Sequence, residues 1–181
     1  AACMLGGCGT PPGEVFEAAA TAPVWPPPPD VPRVRYVGQL RSEEDLKPGR
    51  GFFQGLGEAL FGKDAPRTLV NPMSVCTDNA SRVFVVDSTQ RVVHVFDLET
   101  RSYARWGGAA PTGLVLPIAA AYDHASGRLL VADASAGSIV VLDGAGREVT
   151  RIGAGELNRP CGLAVDPAGG VVYVADPGAH A

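Results

Sequence analysis

The sequence predicts an all-β chain, a β-propeller of four-stranded antiparallel blades that is incomplete here, with two full blades and part of a third. Three observations predict it. From residue 69 onward a pattern returns with a period in the low forties, and three aspartates and one proline keep their places within it. Valine recurs in short runs that suit strands rather than helices. The 23 glycines and 16 prolines supply the turns that so many short strands require.

The chain divides by pattern into residues 1–8, 9–33, 34–68 and 69–181. Within the first, Leu5-Gly6-Gly7-Cys8 resembles a bacterial lipobox: an aliphatic residue, two small ones, then a cysteine. That likeness implies a signal-peptide remnant and a lipid anchor on Cys8. Residues 9–33 are rich in proline and alanine and contain Trp25-Pro26-Pro27-Pro28-Pro29. Proline has no N–H to donate, so this run is expected to be extended polyproline II and to act as a stiff tether. Arg33 to Leu40 reads as a strand, with Val34, Tyr36, Gly38 and Leu40 on one face. Phe52, Phe53, Leu56, Leu60 and Phe61 then fall at helical spacing and predict one short amphipathic helix, weakened by its glycines.

The repeat follows. Unit one contains Pro72 to Asp78, Arg82 to Asp87 and Val92 to Asp97. Unit two contains Pro117 to Asp123, Arg128 to Asp133 and Ile139 to Asp143, and unit three Pro160 to Asp166 and Val171 to Asp176. Proline precedes the first aspartate by six residues in every unit, and the next aspartate follows nine or ten residues later. A fourth strand is expected at 101–105 and at 148–152. Pro72, Pro117 and Pro160 should be structurally equivalent, as should Asp87, Asp133 and Asp176. Propellers need about four to eight blades to close, so the sequence reads as the N-terminal piece of a longer propeller.

Unit three carries a family likeness. Pro160-Cys161-Gly162-Leu163-Ala164-Val165-Asp166, followed by Val172-Tyr173-Val174-Ala175-Asp176-Pro177-Gly178-Ala179-His180, resembles the NHL repeat. Units one and two share its proline, aspartates and strands. They carry Thr89-Gln90-Arg91 and Ser135-Ala136-Gly137 where that family has Gly-x-His. The resemblance covers residues 69–181, and the segments before it are similar, more loosely, to bacterial lipoprotein versions of the same fold. It implies a binding or scaffolding module in the cell envelope, periplasmic or on the cell surface, with a protein or glycan partner. Gluconolactonase-like enzymes and peptidyl-hydroxyglycine lyase resemble this fold too, and imply the alternative of a metal-dependent enzyme with ligands drawn from several blades.

Composition narrows the classes. The net charge is −4 with both signs scattered, and no basic stripe marks a nucleic-acid surface. No apolar run approaches the roughly 20 residues of a membrane helix, so membrane attachment is expected through the lipid alone. Cys3, Cys8, Cys76 and Cys161 match no zinc spacing, and buried free thiols are the expectation for the repeat pair. Asp87, Asp133 and Asp176 recur at strand ends, as turn-formers do, whereas a catalytic site gathers unlike groups at one place. His94 is expected on an alternating strand, His124 in a turn and His180 at a repeat position, none with a sequence-local partner set. No catalytic residue, cofactor or metal ligand is therefore assigned.

Overall fold

β-Branched runs bounded by aspartate-led turns become strands wherever the repeat marks them. The computed structural model describes residues 15–16, 22–46, 67–107, 113–166, 168 and 170–178. Cys8, His180, the lipobox and the expected helix at 52–61 lie outside the described residues. The chain falls into two compact units, 1–66 and 67–181.

In the first unit, β1 (Val24–Trp25) pairs antiparallel with β2 (Val34–Arg35). The proline run between them is not an extended rod, as the sequence suggested; it reverses. Prolines cannot donate, but the carbonyls around them still accept: Arg33 N–H reaches Trp25 O at 2.8 Å and Tyr36 N–H reaches Pro23 O at 2.9 Å. The strand expected over Arg33 to Leu40 also shortens to two residues. Gly38 interrupts it with a φ of +150°, and the Phe16 ring lies so close that a Cβ there would stand 2.4 Å from it. A single turn of 3-10 helix, Glu43–Leu46, follows. The Ser42 hydroxyl caps it, accepting from Glu44 N–H at 3.2 Å, and the Asp45 carboxylate reaches back to the N–H groups of Arg41 and Ser42 at 2.6 and 2.9 Å.

The second unit contains the blades. The first is β3 (Pro72–Thr77), β4 (Arg82–Asp87), β5 (Val92–Asp97) and β6 (Ser102–Gly107), in sequential order. The second is β7 (Pro117–Asp123), β8 (Arg128–Asp133), β9 (Ser138–Leu142) and β10 (Glu148–Ile152). The third has two described strands, β11 (Gly162–Asp166) and β12 (Val171–Ala175). All pairings are antiparallel. In the first two blades the register shifts just after the proline, between Pro72 and Ser74 and between Pro117 and Ala119. The equivalence of the prolines thus extends to a shared β-bulge.

The sheets stack face to face. Phe84, Val86, Val93, Val95 and Trp106 of the first blade pack against Leu129, Val131, Val140 and Leu142 of the second. The opposite face of the second, Ala119, Leu130, Ala132, Ile139 and Val141, packs against Leu163, Val165, Val172 and Val174 of the third. First strands adjoin first strands: β3 lies beside β7 and β7 beside β11. Ala120 N–H on β7 donates to Ser74 Oγ on β3 at 3.1 Å. Sheets meeting along their first strands and stacked by their faces are the arrangement of propeller blades.

Candidate functional site

The recurring aspartates occupy one repeated knot. Asp87 ends β4, and its carboxylate accepts from Val70 N (2.7 Å), Asn71 N (3.0 Å) and Gln90 N (2.8 Å). Asp133 accepts from Val115 N (2.7 Å), Leu116 N (2.9 Å) and Ala136 N (3.1 Å). Asp176 accepts from Asn158 N (2.7 Å), Arg159 N (2.8 Å) and Gly178 N (3.1 Å). In each case two donors are the residues just before the repeat proline, and the third lies in the turn after the aspartate. The proline and the aspartate keep register because the carboxylate satisfies the chain that enters the blade beside it. Asp87 and Asp133 are fully buried. Burial alone would raise the Asp87 carboxyl; the N–H groups of Gln90, Asn71 and Val70, with His94 nearby, outweigh it and hold the group below the usual carboxylate range.

A second set caps the turns at the opposite end. Asp78 accepts from Ala80 N and Arg82 N, Asp123 from Ala125 N and the Ser126 hydroxyl, and Asp166 from Ala168 N. Asp97 accepts from Glu99 N and Thr100 N, and Asp143 from Ala145 N and Arg147 N. These are Asx turns, the local bonding that makes aspartate a turn former. Beside them Arg82 ties two blades together. Its Nε donates to Asp78 at 2.7 Å and one terminal nitrogen to Gly144 O at 3.1 Å. Its guanidinium lies 5.3 Å from the Phe84 ring centre and 6.0 Å from that of Tyr122.

The first blade differs from the second at His94. This imidazole is fully buried. Its Nδ1 lies 2.6 Å from the Tyr103 hydroxyl and its Nε2 lies 3.7 Å from Asp87 Oδ2. The latter is beyond hydrogen-bond reach, so Nε2 has no bonded partner among the described residues. The tautomer that fits is Nε2–H facing the carboxylate, with Tyr103 O–H donating to Nδ1; the reverse would set a lone pair against Asp87. Burial pushes the imidazole below its ordinary value, Asp87 opposes this, and Arg105 adds to it. His94 thus sits in the core between Tyr103 of β6 and Asp87 of β4, neighbours that come from other strands. The neighbour on β6 was legible: a hairpin between Asp97 and Ser102 sets His94 opposite Arg105 and two pairs from Tyr103, on the same face.

The remaining candidates stay apart. His124 is exposed and its ring nitrogen lies 3.2 Å from Asn79 Nδ2. Cys76 is half-buried, and desolvation pushes its thiol up to about 11, which keeps it protonated at neutral pH. Cys161 is exposed rather than buried. Among the described residues no three His, Cys, Asp or Glu side chains gather as metal ligands would.

The fold and these knots define a class: an all-β chain of propeller-type blades. Of the solved structures similar to it, one is the hydrazine synthase of Kuenenia stuttgartiensis, with 23% identity and a TM-score of 0.52. The match covers 65% of this chain and 32% of that one, so this chain corresponds to about a third of its length. At that identity the likeness shows the fold alone. No family description and no curated protein matches the chain.

Proposed function

We propose that this chain belongs to an NHL-type propeller that serves as a protein-binding or scaffolding module, with a protein or glycan partner. In the same reading it is a bacterial envelope lipoprotein, periplasmic or at the cell surface, held by a lipid on Cys8, with residues 9–33 and 34–68 between the anchor and the blades. One observation supports the module reading above others. Each repeated carboxylate, Asp87, Asp133 and Asp176, is taken up by backbone N–H groups of its own blade. The repeat thus builds a frame, and recognition is left to exposed turns and faces.

The test has two arms. Replacing Cys8 by Ser in the native host should release the protein from the membrane fraction; unchanged membrane association would refute the anchor. Photo-crosslinking groups placed at the exposed turn residues Glu99 and Ser135 should trap a discrete partner, or a glycan array should show saturable binding. Stoichiometric divalent-metal binding together with lactone hydrolysis by this chain would refute the module and favour the metal-dependent enzyme.

A further inference from the structure

The two complete blades place an arginine at the same point of the fourth strand and treat it differently. Arg151 on β10 pairs with Val140 on β9, and Arg105 on β6 pairs with His94 on β5. These are equivalent positions, since Asp97 and Asp143 end the two third strands alike. In the second blade the guanidinium is clamped by Glu148, at 2.9 Å from Nε and 2.9 Å from a terminal nitrogen. That is the two-pronged geometry in which guanidinium and carboxylate bind best.

A register shift makes this clamp possible. Between Glu148 and Thr150 the pairing of β10 slips, so Glu148 stands opposite Leu142 and on the same face as Arg151. The first blade pairs without that slip. Tyr103 stands opposite Phe96, in the place of Glu148, and its hydroxyl turns to His94. Arg105 thus lies where its counterpart takes a carboxylate, and the residue that would supply one is a tyrosine. Among the described residues no carboxylate lies within ion-pair distance of Arg105 or of Arg67. Both arginines are exposed. They share an open surface depression of about 420 Å³, lined among the described residues by Arg67, Val92, Arg105 and Gly107. An open site of this size admits a small ligand or one acidic side chain while leaving part of it in water.

We propose that this depression is a carboxylate-binding site, with Arg105 supplying the two-pronged contact and Arg67 a second positive charge. Glu148 in the second blade is the internal pattern for the ligand. The site does not depend on the module reading above. Its ligand is a free dicarboxylate or an acidic side chain of a peptide, and the test separates them.

The experiment is a titration of the full chain with succinate, with a tetraglutamate peptide and with inorganic phosphate, followed by the Arg Nε–Hε signals in ¹⁵N spectra. Succinate or the peptide should shift the Arg105 signal saturably, and the tighter of the two identifies the source. Arg105→Ala should weaken that binding about tenfold or more, the loss expected of a two-pronged contact, and Arg105→Lys should restore only part of it. Arg151→Ala should leave binding unchanged, because its guanidinium is already occupied by Glu148. Circular dichroism confirms that each variant folds. No saturable shift with either carboxylate, equal binding by Arg105→Ala, or tighter binding of phosphate than of both carboxylates would overturn the proposal.

Discussion

Replacing Asp133 by Asn keeps the size of the side chain and removes its charge, which isolates what the carboxylate does. Two N–H groups, from Leu116 at 2.9 Å and Ala136 at 3.1 Å, reach one carboxylate oxygen, and Val115 N–H reaches the other at 2.7 Å. An asparagine oxygen can keep the first pair. Its NH₂ then meets the Val115 N–H donor to donor. Position 133 is fully buried, so water cannot reach that NH₂. One stranded buried donor costs about 1–3 kcal/mol, and two bonds that lose their charge assistance cost about 0.5–1 kcal/mol each, for a loss of about 2–5 kcal/mol. Native domains have only about 5–15 kcal/mol in all. Urea unfolding followed by far-UV circular dichroism should show a lower midpoint at an unchanged m-value. Asp143→Asn is the control: its carboxylate caps an exposed turn, and its midpoint should move far less. A loss under about 0.5 kcal/mol for Asp133→Asn, the size of an ordinary surface change, would refute the account of the knot.

Three further outcomes are expected. Gly146 has a φ of +79° and lies flat on the Trp106 indole, where an added Cβ would stand 2.3 Å from the ring; Gly146→Ala should destabilise by about 2–4 kcal/mol, from overpacking and the left-handed backbone together, as measured by thermal unfolding. Arg91 has a φ of +57° at the turn position that Gly137 holds in the second blade; Arg91→Gly should stabilise by a few tenths to about 1 kcal/mol, read in the same melts. His94 has its pKa depressed in the fold, so the unfolded chain takes up a proton that the native one refuses as pH drops below about 6.5. Stability linked to His94 is therefore complete above that pH and declines as pH falls toward the folded value. Asp87, also depressed, adds its own loss only at lower pH, below the ordinary carboxylate range. Urea midpoints at pH 7.5, 6.0 and 5.0 should fall for the wild type and flatten for His94→Val, the residue found at the equivalent place in the second blade; parallel curves would contradict the burial argument.

Much of the fold was legible because its causes are local. Valine-rich runs, the Asx turns at Asp97 and Asp143, and the recurring prolines mark the strands of the blades to within two residues, since each turn is closed by atoms a few positions apart. The hairpin at Val24–Arg35 was not legible, because a proline run says only that its own N–H groups are missing. Where the flanking donors go, to Pro23 O and Trp25 O, depends on a reversal that no local propensity encodes.

By itself, then, the sequence determined the repeat, the number of strands in it, and the identity of the residues that return. Tertiary structure decided what those residues touch. The carboxylates of Asp87, Asp133 and Asp176 meet donors 16 to 18 positions away, because the chain entering each blade returns alongside the end of its second strand. A slip of one residue in β10, absent from β6, gives Arg151 a glutamate and leaves Arg105 an open depression. Side chains alternate faces along a strand, so one extra residue exchanges every neighbour beyond it.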